Sequence, residues 1–322
     1  VLGVTRVAVT GASGFVGQCV CAALRAQGHE VRAVVRRAGS APAGTLVAEV
    51  PGLEATALAG AFAGCHAVVH LAARVHVMRE TAADPLAEFR RVNVLGAETA
   101  YRAACATGVR RFVLLSSVKV HGEGRATPYV EGDPPAPADP YGVSKLEAER
   151  GLTAARAAGG AADLVVLRAP LVYGPGVGGN FRRLIRLAEL AQRWPLPLGG
   201  LGNRRSLVAV QNLADAIRFV LQSRPAGDRT FLVSDGEDVS TSDLIARLAR
   251  ALGGRARLLP CPAGAVRLLA ALAGRRAITD RLLGTLTVDS AALRTGLGWT
   301  PPYSVDATLA EVARWWAEGR GA

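Results

Sequence analysis

Tyr141 and Lys145 stand four residues apart in the segment Tyr141-Gly142-Val143-Ser144-Lys145, a spacing that puts both side chains on one face of a helix. A phenol and an ammonium placed together can move a proton. A free tyrosine ionises at about pH 10, too high for a base at neutrality, but a neighbouring cation favours the phenolate. Tyr141 can then take or return a carbinol proton while Lys145 also reaches a bound ligand. The same pair occurs on ordinary helix faces, so its surroundings decide. Leu114-Leu115-Ser116-Ser117 ends an expected parallel strand at the carboxyl edge, where open α/β sheets bind ligands. Ser117 would hydrogen-bond the same reacting oxygen, with Ser116 turned toward the cofactor side; a strand-end cap is the plainer role for Ser117.

The run Thr10-Gly11-Ala12-Ser13-Gly14-Phe15-Val16-Gly17 follows one expected strand and opens a helix, the context that turns a glycine motif into a dinucleotide site. Gly11 makes the turn, Gly14 lets backbone N–H groups approach a pyrophosphate, and Gly17 permits close helix–sheet packing. With Ser13, Phe15 and Val16 they form the candidate cradle, and the helix N-terminus stabilises the phosphate charge. The plain alternative is a tight strand-to-helix turn without a ligand. The second strand ends Val34-Val35-Arg36-Arg37, with no carboxylate to bond a ribose 2′-hydroxyl. Arg36 therefore favours NADP(H); if both arginines are only solvated surface charges, NAD(H) is the cofactor.

These residues need a scaffold, and the first half supplies one. Strands are expected over 6–10, 30–35, 45–50, 67–71, 111–116 and 163–168, with helices over 14–27, 86–107 and 139–158. Such alternation is the signature of βαβ units. The fold class is α/β, a Rossmann-type doubly wound parallel sheet over 1–170 with a smaller C-terminal substrate-binding lobe over 171–322. Pro170, Gly174, Pro175, Gly176, Gly178 and Gly179 break the regularity. Helices follow near 180–194, 211–222 and 241–252, and a strand near 206–210, of which 207–210 is expected to return to the main sheet. A last helix ends in Trp315 and Trp316, read as packing residues.

Half of the 322 residues are hydrophobic and 20% are charged, ordinary for a globular chain. No apolar run reaches the roughly 18 residues of a spanning helix, and the first residues lack a secretion signal, so a cytoplasmic location is expected. The five cysteines show neither CxxC nor metal-ligand spacing and are expected to be reduced. His76 and His121 pair with nothing at ligand spacing, so no metal is assigned. The net charge of +12 is scattered through amphipathic helices without interleaved aromatics, which argues against nucleic acid and fits attraction of a phosphate-bearing substrate. The Ala/Leu-rich stretch 258–272 would suit a membrane surface, but Pro260 and Pro262 interrupt it and core packing is the preferred reading.

The order TGASGFVG, HLAA, SSVKVHG, YGVSK and RAPLVYGPG, with LGWTPP near the end, resembles the extended short-chain dehydrogenase/reductase (NAD-dependent epimerase/dehydratase) family through nearly the whole chain. The likeness implies catalytic roles for Ser117, Tyr141 and Lys145, with Asn93 at the cofactor site supporting its backbone. It also implies that His70, Leu71, Ala72, Ala73, Arg168, Pro170 and Val172 line the cofactor, and that Glu49 reaches the adenine amine. Within the family the chain is most similar to UDP-sugar 4-epimerases and 4-ketosugar reductases. Dehydratases carry an Asp-Glu pair after the catalytic hydroxyl residue, where this chain has Val118 and Lys119, so dehydration lacks its acid and base.

The loop 173–181 and the turn 202–206 would then contact a nucleotide-linked sugar. By the same likeness Asn180 bonds a diphosphate or sugar oxygen and Arg205 neutralises the diphosphate through its forked donors, unless Arg205, beside Arg204, is merely a surface arginine. Arg281 is a second candidate phosphate contact. The implied activity is NAD(P)-dependent inversion at C4 of a UDP-sugar; the alternative is NAD(P)H-dependent reduction of a nucleotide-linked 4-keto sugar. A redox-sensing binding protein would have lost Tyr141 or Lys145, and both are present. Homodimerisation through helices near 86–107 and 139–158 is a further implication of the likeness.

Overall fold

Short Val-, Leu- and Ala-rich segments form parallel strands buried on both faces, which is why they read as continuous apolar runs and not as alternations. The computed structural model describes residues 5–75, 84–262, 264–266 and 283–319. The first part runs β1 (Arg6–Thr10), α1 (Phe15–Ala26), β2 (Glu30–Val35), β3 (Leu46–Glu49), α2 (Ala55–Phe62) and β4 (Ala67–His70). After these come α3 (Pro85–Phe89), a π-helical segment (Arg90–Leu95), α4 (Gly96–Ala106), β5 (Arg111–Ser117), α5 (Pro140–Ala157) and β6 (Asp163–Ala169). The second part holds β7 (Leu171–Tyr173), α6 (Gly179–Arg193), β8 (Leu196–Gly199), β9 (Arg205–Ala209), α7 (Val210–Gln222) and β10 (Arg229–Leu232). It closes with β11 (Asp238–Val239), α8 (Thr241–Ala251), β12 (Leu258–Pro260), α9 (Ala291–Leu297) and α10 (Val305–Glu318).

The main sheet has seven parallel strands in the order β10-β6-β5-β4-β1-β2-β3, the doubly wound arrangement expected. Its strands divide their side chains between two cores because successive residues point to opposite faces. Val7, Val9, Val113, Val165 and Leu167 pack with Val20, Leu24, Leu213 and Ile217 from α1 and α7. Ala8, Phe112, Leu114, Leu164 and Val166 pack with Leu58, Phe62, Ala100, Tyr101 and Leu152 from α2, α4 and α5. Reversal of strand order between β1 and β4 opens a crevice at their carboxyl ends, where ligands bind in such sheets.

A third core joins α6, α8 and α10 through Phe181, Leu184, Ile185, Leu244, Leu248, Leu309 and Val312, with Trp315 and Trp316 packed against it. Two small sheets belong to this part, β11-β9-β7 and β12-β8. The strand at 205–209 therefore does not return to the main sheet as the sequence suggested; β10 does, beside β6. Residues 258–260 pair with β8, while 263 and 267–272 of the same Ala/Leu stretch lie outside the described residues. Among the described residues no helix is long and apolar enough to cross a membrane.

Candidate active site

At the crevice, Gly11 has φ +69°, and a Cβ there would stand 2.8 Å from Ala72 N and 2.9 Å from Leu71 C. Only glycine lets the β1 turn lie this close to the chain leaving β4. A Cβ on Gly17 would meet Gly11 O at 2.2 Å and Ala12 Cα at 2.7 Å, so α1 starts hard against the turn. Gly14 is the N-cap of α1 and no side chain caps its first turn, which leaves those N–H groups to an anion. Below the turn, Thr10 Oγ1 lies 3.0 Å from His70 Nδ1 and accepts Ala72 N–H at 3.3 Å, locking the ends of β1 and β4 together.

Across the crevice, α5 presents Tyr141 and Lys145. Asp139 caps this helix by accepting Gly142 N–H at 2.7 Å, and Pro140 occupies its first turn, a strong start signal. The Ser117 side chain reaches the Tyr141 phenol closely enough to favour its ionised form, so the two candidate catalytic hydroxyls meet. Lys145 is buried and its Nζ donates to the Leu115 carbonyl at 2.8 Å. Loss of water lowers its pKa to about 8, with the Glu149 charge acting the other way.

The sequence suggested that Lys145 acidifies the phenol, but burial wins. Tyr141 keeps some exposed surface, yet protein packs so closely that desolvation pushes it up to about 12, against the Ser117 bond and with the Asp139 charge adding to the rise. The Phe89 ring stands edge-on to Tyr141 with centroids 6.1 Å apart.

A family model described as the NAD dependent epimerase/dehydratase family matches residues 7–233. The chain belongs to this family. It is 39% identical over 311 residues to a UDP-glucose 4-epimerase of Vibrio cholerae, covering 95% of this chain and 94% of that one. It is 32% identical over 305 residues to a 3-diazoavenalumate denitrifying reductase of a Streptomyces species, covering 92% and 96%. The solved structure of MoeE5 in complex with UDP-glucuronic acid and NAD superposes with a TM-score of 0.77 at 28% identity, over 98% of this chain and 99% of that one.

Other residues singled out for this epimerase/dehydratase-family chain take varied positions. Asn93 sits in the π-helical segment; its Nδ2 donates to Arg74 O at 3.1 Å and Ser144 Oγ at 2.9 Å, and its Oδ1 accepts Arg74 N–H at 2.7 Å. With both amide hydrogens engaged, Asn93 braces the backbone beside the site. That segment is also why the single helix expected over 86–107 is interrupted, as π turns often are at functional positions.

The Ser116 hydroxyl, expected on the cofactor side, turns to Glu149. Arg168, expected to line the cofactor, is paired with the same Glu149 at 2.6 Å, and its Nη1 lies 3.0 Å from His121 Nε2. Glu149 was the signal missed in the sequence, although it stands four residues after Lys145 on the same helix.

Leu71, Ala72 and Ala73 follow β4 at the crevice, and Pro170 and Val172 connect β6 to the second part. Arg36 is exposed just beyond β2, and Glu49, exposed at the end of β3, accepts Ala38 N–H at 3.0 Å, which ties it to the turn after Arg36. Asn180 lies in the first turn of α6, its Oδ1 3.5 Å from Arg183 Nη1. Arg205 Nε donates to Gly284 O at 3.1 Å and loses water enough to lower its pKa, while Arg204 pairs with Asp238. Arg281 and His76 lie outside the described residues.

Proposed function

We propose that this chain is a UDP-sugar 4-epimerase using NAD(P). The observation that carries the reading is the meeting of the Ser117 side chain with the Tyr141 phenol, at the carboxyl edge of β5 and two strands from the glycine turn after β1. The Vibrio cholerae relative supports a UDP-hexose substrate, and the MoeE5 complex supports a UDP-sugar with NAD. The closeness of Gly11 to Ala72 and of Gly17 to Gly11, with the uncapped first turn of α1, suits a pyrophosphate lying on Gly11, Ser13, Gly14, Phe15, Val16 and Gly17.

These residues would hold the dinucleotide whose nicotinamide would supply reversible hydride chemistry at C4. Ser117 holds the C4 oxygen, and Tyr141 takes the hydroxyl proton as the C4–H bond breaks. When that bond re-forms, Tyr141 returns the proton, so configuration inverts without net redox change. A phenol held near 12 is a weak resting base, so its deprotonation has to be helped by the positive nicotinamide and by Lys145. Asn180 and Arg205 hold the diphosphate, with Arg281 as a further contact, and Arg36 inclines the cofactor toward NADP(H).

The 32% identical reductase supports reductive chemistry in general and exposed Arg36 an exchangeable NADP(H); the second reading is NAD(P)H-dependent reduction of a nucleotide-linked 4-keto sugar at the same residues. One assay separates them. UDP-glucose converted to its C4 epimer without cofactor turnover is the expected result; stoichiometric NAD(P)H loss with a 4-keto sugar would favour the reductase. Tyr141→Phe should abolish most turnover while cofactor still binds, and a fully active variant would remove Tyr141 from the chemistry.

A further inference from the structure

The chain carries 38 basic residues of the Lys/Arg type, and only Lys119 and Lys145 among them are lysines. Both stand at the candidate site. Everywhere else the positive charge is borne by a guanidinium, including exposed helix faces where either type would serve. Lysine differs from arginine in offering a compact point charge in place of a planar fork, so position 119 is one where compactness counts.

The geometry gives it a task. Lys119 follows Ser117 in the turn after β5, and its own N–H donates to Ser117 Oγ at 3.3 Å. Its Nζ is paired with Asp139 and lies 3.0 Å from Glu123 Oε1, leaving the side chain 21% exposed. The other Asp139 oxygen caps α5 through Gly142 N–H, and a Cβ at Gly142 would come within 2.7 Å of Lys119 O. One residue thus joins the Ser117 turn to the start of the Tyr141 helix by backbone, by packing and by charge.

We propose that Lys119 is a positioning residue of this site, whose ammonium neutralises Asp139 at the head of α5 and holds Ser117 and Tyr141 in register. The Asp139 charge adds to the rise that burial imposes on the phenol, so without Lys119 the negative phenolate would form beside an uncompensated neighbour. Among the described residues, the charged groups around Tyr141 include Asp139, Lys145 and Glu149 on α5, and Lys119 and Glu123 after β5. Arg74 stacks over the Phe89 ring, and the Arg90–Glu147 pair bridges the π-helical segment to α5. Glu123 is shared, because its charge also reaches Arg205.

The inference rests on Tyr141 being the acid–base group of the reading above, and the test separates the two. Phenolate absorbance of NAD-loaded protein, taken as the difference from the matching Tyr141→Phe protein without any sugar, follows Tyr141 directly. Lys119→Met should raise its midpoint by about one pH unit or more, and the rising limb of the kcat profile should move with it, a roughly tenfold loss of rate at fixed pH on that limb. Adding Asp139→Asn, which still caps the helix, should bring the midpoint back.

Lys119→Arg should keep the midpoint and lose kcat several-fold; a wild-type kcat would overturn the claim that a compact ammonium is needed. A Lys119→Met midpoint that does not move, or one that Asp139→Asn fails to restore, overturns the proposal. If no sugar turns over but the midpoint moves as stated, the function reading fails and the role of Lys119 stands.

Discussion

Glu149 on α5 and Arg168 on β6 form a buried ion pair, with Arg168 Nη2 2.6 Å from Glu149 Oε2 and side chains 11% and 7% exposed. Ser116 donates to the same carboxylate, and His121 and the Glu131 carbonyl meet the far side of the guanidinium. The pair fastens the helix carrying Lys145 to the sheet one turn beyond that lysine. Removing one partner leaves the other charge buried and bare, so Arg168→Met should lower unfolding free energy by about 3–5 kcal/mol. Adding Glu149→Gln removes the stranded charge, and the double variant should lose less than the two single losses added together. Urea unfolding of the three variants measures this; strictly additive losses would show that the two residues act separately.

Lys145 carries the opposite balance, because its buried ammonium weakens the fold it serves. Its folded pKa of about 8 lies below the value of about 10.4 for an unfolded lysine. Between those values the unfolded chain binds the extra proton, so stability rises with pH across that window and the full penalty is felt below it. Lys145→Met should therefore be more stable than the parent at pH 7, by about 2–3 kcal/mol at most. The difference should shrink as pH climbs through 8 toward 10. Parallel melting curves at several pH values give the result, and a variant less stable than the parent at every pH would refute it.

What the sequence disclosed follows a physical division. Strand positions on both sides of the crevice, the glycine turn and the Tyr141–Lys145 spacing depend on local pattern, and each lies within a residue or two of its expected place. Pairings that depend on distant partners were hidden. Ser116, Glu149 and Arg168 are 33 and 19 residues apart along the chain, and nothing local announces that one carboxylate serves both others. The acidity of Tyr141 was misjudged for the same reason, since counting a nearby ammonium reveals nothing about how much water the surrounding core removes. The helix Ala55–Phe62 escaped because its Ala- and Gly-rich sequence has little amphipathic contrast, and β9 was assigned to the wrong sheet because strand propensity carries no address.

The glycines give a paired test of which positions serve the ligand. Gly17→Ala would push its methyl into Gly11 O and the Ala12 backbone at 2.2 and 2.7 Å, displacing the turn and the start of α1. It should lose dinucleotide affinity by at least tenfold. Gly60, inside α2, has nothing within 4 Å of a built Cβ, so Gly60→Ala should keep affinity and stabilise the chain by about 0.5–1 kcal/mol through helix propensity. Titration calorimetry with NAD and NADP together with melting curves reads both effects, and equal behaviour of the two variants would remove the steric argument for the turn.

His70 should remain neutral well into acid, with a consequence for stability. It is buried against Phe112, with ring centroids 5.7 Å apart, and meets Thr10 through Nδ1. Nε2 has no hydrogen-bond partner among the described residues. Protonation would place a bare N–H in an apolar layer near the Lys145 ammonium, and the pKa falls to about 3, first through burial and then through that charge. An unfolded histidine titrates at about 6.5, so above that pH the group has no effect. As pH drops from there toward 3 the unfolded chain takes a proton the folded chain refuses, and stability is lost by up to about 1.4 kcal/mol per pH unit. His70→Gln should flatten this slope relative to the parent below pH 6. In the parent, the His70 imidazole resonances should not move between pH 7 and pH 5; a titration midpoint near 6.5 would mean that water reaches the ring and that the Thr10–His70 lock under the glycine turn is open.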